Sequence, residues 1–399
     1  MSRPRISIII PTFNRGQFIA ECLNSLLTQT LPASQIIVVN DGSTDNTGQA
    51  LDPYRDKIEY FDTEGQLGKA VAINLGVEKV TGDYLWIFDD DDVALPQALE
   101  RFVAPLEAHA HYGFSYSTFY YTATDPKSDR IGPVLYELEI PDVVERGFIV
   151  PLLEDNFLGG AALFARMSCY RELGPFDPAL FRSQDYEMAI RIARRFSGVR
   201  VPGKPTFHYR QHEGDRGNSR DRFKIESRMK KWLDYDSLIF QKLYRELTLA
   251  DYLAPGAPLA ELGRQALLQR MTIMASKLLM PELLQDLHHL AKVSDTRPLS
   301  AQEKLIVRFL VRCWYHRLAF LHNHREFPEA VRKLSRSSKV ISLLRGEILK
   351  AMLTQRGKYL GPRQMRETFA RSLHLYWGNL SKIGQLTGVG RTALSGQDQ

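Results

Sequence analysis
The first half of the chain alternates short apolar runs with stretches of helical periodicity. Arg5-Ile6-Ser7-Ile8-Ile9-Ile10-Pro11 reads as a buried strand, followed by a helix over about Gln17 to Gln29. Further strands are predicted at Gln35 to Asn40, at Ile58 to Phe61 and at Tyr84 to Phe88, with a helix from about Gly68 to Lys79. Near-continuous apolar strands that alternate with helices predict a parallel sheet covered on both faces. Ligands of such sheets bind beyond the carboxyl ends of the strands. Three of these strands end in polar loops, Thr12-Phe13-Asn14-Arg15, Asp41-Gly42-Ser43-Thr44-Asp45 and Asp89-Asp90-Asp91-Asp92, which should converge on one site.

From about residue 113 the pattern shifts to aromatic, β-prone segments, Phe114 to Tyr121 and Val134 to Ile140. A glycine-containing stretch from Phe157 to Phe164 follows, then a helix over Asp185 to Phe196 and a strand ending in His208-Tyr209-Arg210-Gln211-His212. Beyond about residue 222 strand signals nearly vanish. The rest reads as helix rich in Leu, Arg, Lys and Gln, punctuated near Pro255-Gly256, Pro281, Pro298 and Pro362, with no fixed-period repeat. The expected organisation is therefore an α/β unit over 1–221 and an all-α unit over 222–399.

Charge sharpens that division. Residues 1–220 hold 22 Lys and Arg against 30 Asp and Glu, whereas 221–399 hold 30 against 16, although the whole chain is only +6. The acidic half suits cation binding; the basic half suits an anionic partner or is simply a solvated helical surface. Cys22, Cys169 and Cys313 are scattered and odd in number, which argues against a disulfide framework or a zinc site and fits a reducing cytosol. No signal-peptide pattern opens the chain, and no apolar run approaches the ~20 residues that span a bilayer. A cytoplasmic protein is expected, at most peripheral at the inner face of the cell membrane.

Four consecutive aspartates after a buried strand raise one another's pKa unless a cation neutralises them, and hard oxygen donors suit Mg²⁺ or Mn²⁺. The alternative is a solvated acidic turn that caps the helix opening near Pro96. Asp41 could accept from the ring N–H of uracil, thymine or guanine, or serve an Asx turn or helix cap. Asp185, where a helix begins, is either a cap or a general base toward an attacking hydroxyl. His212 is either a metal ligand or an exposed loop histidine.

Together these segments resemble the family 2 glycosyltransferases, which have the GT-A fold, over roughly residues 5–220. Pro11-Thr12-Phe13-Asn14-Arg15 resembles their opening strand-loop, and Val38 to Asp45 is similar to their nucleotide-binding turn. Gly68 to Gly76 is similar to the helix before their metal motif, although an Arg is common where Ile73 stands. Asp89-Asp90-Asp91 fits their Asp-x-Asp pattern. The resemblance implies donor binding by Pro11, Thr12, Asn14, Arg15, Asp41, Gly68, Lys69, Asn74, Asp89 and Asp90. It also implies a Mn²⁺ or Mg²⁺ ion on Asp91, with His212 as the late histidine that reaches it. Gly174-Pro175-Phe176-Asp177 followed by Gln184-Asp185 resembles the approach to the catalytic acidic pair; its first member, usually Glu, is Gln184, and the base position is Asp185. Asn156 to Phe164 would be the acceptor-side loop and strand.

The implied activity is inverting transfer of a sugar from a nucleotide diphosphate donor, a UDP-sugar foremost, to a hydroxyl of a glycan, lipid-linked or protein acceptor. Bacterial-type surface polysaccharide or glycoconjugate synthesis is the implied setting, with protein glycosylation or an inactive transferase-like scaffold as alternatives. A nucleotidyltransferase is disfavoured because its Gly-rich, Arg-containing loop does not follow the first strand. A dehydrogenase lacks its G-x-G-x-x-G there, and Gly65-Gln66-Leu67-Gly68-Lys69 is too short for a P-loop. In the basic half, Leu305 to Trp314 is apolar at helical spacing with Arg308 and Arg312 one turn apart. Further Arg and Lys follow from Arg325 to Lys358 and at Arg363, Arg366 and Arg371. This is either a helix leaning on anionic lipid or acceptor, or a packing helix with an Arg rim. Nucleic acid is disfavoured, since no reading motif accompanies the charge.

Overall fold
Strand β1 (Ile6–Thr12) is buried at all seven positions, so it can only be the middle of a sheet covered on both faces. Its neighbours in the computed structural model, which describes residues 3–141, 143, 147–212, 228–254, 256–257, 263–316 and 326–355, are β2 (Gln35–Asn40) and β4 (Tyr84–Ile87), both parallel to it. Pro11 is tolerated there for a geometric reason. The Ile9 carbonyl takes the Phe88 N–H at 2.9 Å, the last link to β4, so the nitrogen two residues on faces a neighbour that has already ended.

Between these strands lie α1 (Ile19–Leu27), α2 (Thr47–Leu51), β3 (Glu59–Asp62) and α3 (Lys69–Glu78). Next come β5 (Val93–Ala94), α4 (Ala98–Ala108), β6 (Tyr112–Tyr116), β7 (Tyr120–Thr124) and β8 (Ile131–Glu137). The N-terminal unit continues with α5 (Ile149–Glu154), β9 (Leu163–Arg166), α6 (Met167–Leu173), α7 (Gln184–Arg195), β10 (Ser197–Arg200) and β11 (Phe207–Gln211). Seven strands form the main sheet in the order β10-β6-β9-β4-β1-β2-β3, mostly parallel, with β9 antiparallel to both its neighbours. The expected mixed α/β architecture is the observed one.

The stretch Phe114 to Tyr121, which reads as a single β-prone segment, serves two sheets. Phe114 and Tyr116 are buried in the main sheet, whereas Tyr120 and Tyr121 open a second, four-stranded one ordered β5-β11-β7-β8. The break between them is satisfied from outside: Ser117 N–H donates to the Ala162 carbonyl, and the Phe119 carbonyl accepts from Leu138. Outermost in this second sheet among the described residues, β8 exposes Val134, Leu135 and Tyr136 in succession.

The chain divides into two compact units after Asp236, within helix α8 (Arg228–Glu246). The second unit is helical. Its α9 (Arg264–Ser276) is buried along nearly its whole length and packs with α10 (Met280–Ala291) and α11 (Ala301–His316). Helices Glu326–Leu334 and Lys339–Gln355 follow among the described residues. Two arginines here pair with buried carboxylates: Arg264 chelates Glu303 at 2.6 and 2.7 Å, and Arg270 holds Asp286 at 2.6 and 2.9 Å. On α11, Ile306, Val307, Leu310 and Val311 are buried, while Leu305, Arg308 and Arg312 are exposed. No helix among the described residues is long and apolar enough to cross a membrane. Pro255, Arg325, Arg356, Lys358, Pro362, Arg363, Arg366 and Arg371 lie outside the described residues.

Candidate active site
The polar loops predicted to converge do meet at the carboxyl end of the main sheet, and side chain to main chain bonds hold them. Asn14 adopts a left-handed φ of 53°, and its side-chain oxygen accepts from Thr44 N–H at 2.8 Å and Asp45 N–H at 3.3 Å. In return Asn14 N–H donates to Ser43 Oγ at 2.9 Å, and Arg15 N–H to Thr47 Oγ1 at 2.9 Å. Thr12, buried at the end of β1, accepts the Asp41 N–H through its carbonyl at 2.8 Å. The loops after β1 and β2 thus form one rigid unit.

Asp41 is buried and uses both carboxylate oxygens on a third loop, taking Leu67 N–H and Gly68 N–H, each at 2.8 Å. Burial pushes its pKa up, opposed by these bonds. A side chain at Gly42 would sit 2.7 Å from the Gly65 carbonyl carbon, so only glycine lets the two loops approach this closely. Gly68, with φ of 104°, then turns the chain into α3 and aims Lys69 inward. Lys69 Nζ reaches Asp89 Oδ1 at 2.5 Å.

The loop after β4 carries the charge. Oxygens of Asp89, Asp91 and Asp92 lie within 4.8 Å of one another. Arg15 stands 3.7 Å from Asp90 and 3.9 Å from Asp91, and His212 Nε2 is 3.1 Å from Asp91 Oδ2. Burial, more than the repulsion from Asp91, pushes Asp90 up to about 7. Asp92 is also raised, by burial first and then by Asp91 and Asp89. Its Oδ1 accepts Arg210 N–H at 2.9 Å, but its buried Oδ2 has no hydrogen-bond partner among the described residues. A buried orphan oxygen within a cluster of hard, mutually repelling donors fits a small divalent cation. The predicted ligands Asp91 and His212 are adjacent, and Asp92, not among the predicted site residues, joins the cluster. Its membership depends on which way the loop turns, which a run of four identical residues does not disclose.

Asp185 enters from the first turn of α7, after Ser183 with φ of 56°. It and Asp89 border one pocket, with Lys69, Gly159, Gly160 and Phe176 also in the wall. A Cβ on Gly160 would lie 3.4 Å from Asp89 Oδ2 and 3.6 Å from Asp185 Oδ2, so this bare glycine faces both carboxylates. Burial raises the Asp185 pKa; Lys69 opposes that and Asp89 adds to it. Gln184 is buried, and its Oε1 lacks a partner among the described residues. Asn74 stands apart from this group: its amide both donates to and accepts from the main chain of Phe176, at 2.9 Å each way. It fastens α3 to the segment that leads to Asp185.

Residues 7–171 match the family described as Glycosyl transferase family 2, a span from β1 through most of α6 that ends before Asp185 and His212. An uncharacterized glycosyltransferase of Rickettsia felis is 31% identical over 198 residues, covering 48% of this chain and 32% of that protein. The chain spans about a third of the length of that curated relative. Among solved structures, S. aureus TarS 1-349 in complex with UDP-GlcNAc is 15% identical with a TM-score of 0.44, covering 96% of this chain and 92% of that one. The mannosyltransferase PcManGT from Pyrobaculum calidifontis, in complex with GDP-Man and Mn²⁺, is 17% identical with a TM-score of 0.48, covering 89% of each chain. Across residues 7–171 the N-terminal unit of this chain is thus similar to glycosyl transferase family 2.

Proposed function
We propose that the protein is an inverting glycosyltransferase that moves a sugar from a nucleoside diphosphate donor, a UDP-sugar foremost, to a hydroxyl of a glycan, lipid-linked or protein acceptor. The observation that carries this reading is the pocket in which Asp185 and Asp89 face the same bare glycine, beside the Asp91–His212 pair. In the family match the metal motif and the donor loops are inside the matched span, which supports the donor class.

Asp185 takes the proton of the acceptor hydroxyl as that oxygen bonds the anomeric carbon. The bond from that carbon to the diphosphate oxygen breaks, and the nucleoside diphosphate leaves with the electron pair. One displacement with a base and no enzyme nucleophile inverts the centre, by the logic that separates inverting from retaining glycosidases. Burial of Asp185 keeps its pKa above the ordinary carboxylate range of ~4, which makes it a better base. Lys69 holds Asp89 in place and puts positive charge beside both carboxylates. Asp91 and His212, with Asp89 and Asp92, would hold a Mn²⁺ or Mg²⁺ ion, which when bound would supply positive charge for the departing diphosphate.

The test is transfer from a panel of nucleotide sugars with Mn²⁺ or with EDTA, run alongside Asp185→Asn. The variant should bind nucleotide as the native protein does and lose on the order of 10²–10⁴ in turnover. Near-native turnover in that variant would remove Asp185 as the base. On α11, the exposed Leu305, Arg308 and Arg312 support peripheral contact with anionic lipid, where a lipid-linked acceptor would be met. Equal sedimentation with anionic and neutral vesicles would exclude that contact.

A further inference from the structure
We infer that Arg210 is a positioning residue that sets the geometry of the candidate ion site, holding Asp91 and Asp92 and fixing His212 against them. The inference rests on reading the aspartate loop as an ion site.

Arg210 lies in β11 with its side chain wholly removed from solvent. A buried guanidinium persists only when its N–H groups are used, and here they reach three separate parts of the fold. Nε donates to the Asp91 carbonyl at 2.6 Å, one Nη to the Asp129 carbonyl at 2.8 Å, and the other Nη to Glu21 Oε2 at 2.5 Å. Its main-chain N–H adds the 2.9 Å bond to Asp92 Oδ1. The Phe18 ring lies 4.7 Å from the guanidinium carbon.

Two consequences concern the ion site. First, Asp91 is held at both ends: Arg210 grips its carbonyl while His212 meets its carboxylate at 3.1 Å. His212 follows Arg210 by two residues, so the same anchored strand end delivers both. Phe18 also touches His212, with ring centroids 5.3 Å apart, and so ties that imidazole to the same knot. Second, Asp92 is aimed by the Arg210 main chain, which occupies Oδ1 and leaves Oδ2, beside Asp89 and Asp91, without a partner among the described residues. Glu21 keeps the guanidinium in place and is itself oriented by Ile131 N–H at 3.1 and 3.3 Å. The planar fork is what lets one cation serve carbonyls and a carboxylate in different directions; a lysine ammonium is a point charge on a flexible stem.

The experiment is a Mn²⁺ titration followed by the EPR signal of the free ion, on the native full chain and on Arg210→Lys, Arg210→Met and Glu21→Gln. Thermal midpoints are recorded in EDTA to separate folding from binding. Groups that orient metal ligands typically change affinity 10–100-fold when removed. Arg210→Met should weaken Mn²⁺ binding at least tenfold, and Arg210→Lys and Glu21→Gln, which keep a donor or acceptor in place, should shift it less in the same direction. If Arg210→Met does not fold, the other two variants decide. Transferase rate in Arg210→Lys should recover at saturating Mn²⁺, which a merely structural defect would not do. Folded variants that bind Mn²⁺ within twofold of native, with only the thermal midpoint lowered, would overturn the inference. Absence of Mn²⁺ binding to the native protein would instead overturn the ion-site reading beneath it.

Discussion

Replacing Gly160 by alanine separates the catalytic reading of the pocket from any structural one. The new methyl would lie 3.4 and 3.7 Å from the Asp89 oxygens and 3.6 Å from Asp185 Oδ2, all ordinary van der Waals distances. Gly160 is not among the residues with positive φ, so the backbone tolerates alanine. By reducing the freedom of the unfolded chain, the change should leave stability unaltered or raise it by about 0.4–1 kcal/mol. Activity should respond quite differently. An acceptor hydroxyl must come within roughly 2.6–3.2 Å of the base, and the methyl occupies the approach to that same oxygen. A displacement of about 1 Å costs on the order of 100-fold, or about 3 kcal/mol of transition-state stabilisation. The assay is kcat/KM for transfer together with a thermal midpoint. A hundredfold loss of kcat/KM with an unchanged or higher midpoint is expected. Near-native kcat/KM would mean that the reacting atoms do not pass between Asp89 and Asp185, and the assignment of this pocket would fall.

Metal-free protein should lose stability as pH rises. Asp90, raised to about 7, favours the fold while protonated; that contribution is full below the ordinary carboxylate pKa of ~4 and is gone above about 7. Stability in EDTA, followed by the thermal midpoint, should therefore fall between about pH 4 and 7, by no more than about 4 kcal/mol, and Mn²⁺ at pH 7 should reverse the fall. Asn74→Ala removes both bonds to the Phe176 main chain and should cost about 2–3 kcal/mol in urea unfolding, with nucleotide affinity little changed. An affinity loss without a stability loss would return Asn74 to donor contact. Arg264→Met leaves Glu303 buried and unpaired, and should cost about 3–5 kcal/mol by the same measurement.

What the sequence disclosed and what it hid follow from the range of the forces involved. Runs such as Ile6 to Ile10 and Gln35 to Asn40 declare themselves, because a strand covered on both faces must be apolar at nearly every position. The loops after those strands were legible for the converse reason: polar residues there have no core to serve. Arg210 and Glu21 gave no local signal, since they are 189 positions apart and meet only once the fold brings α1 beside β11. Lone charges of either sign look solvated until their burial is known. The second sheet was hidden because the turn at residues 117–119 is satisfied by Ala162 and Leu138, partners that no window of sequence contains. Asn74 sits in the stretch that resembles the family's donor-side helix, and both polar ends of its amide are bonded to a segment about a hundred residues away, a partner no local window contains.

The bare margin of the smaller sheet has a consequence for handling the protein in concentrated solution. Val134, Leu135 and Tyr136 lie on a strand that pairs on one side only among the described residues, and their apolar side chains are exposed, the combination that recruits a like strand from another molecule. Pro133, at the irregularity between the Ile131 and Val134 pairings, has no N–H to offer such a recruit, and Glu137 follows with a negative charge. Pro133 and Glu137 thus flank this stretch in the manner of gatekeepers.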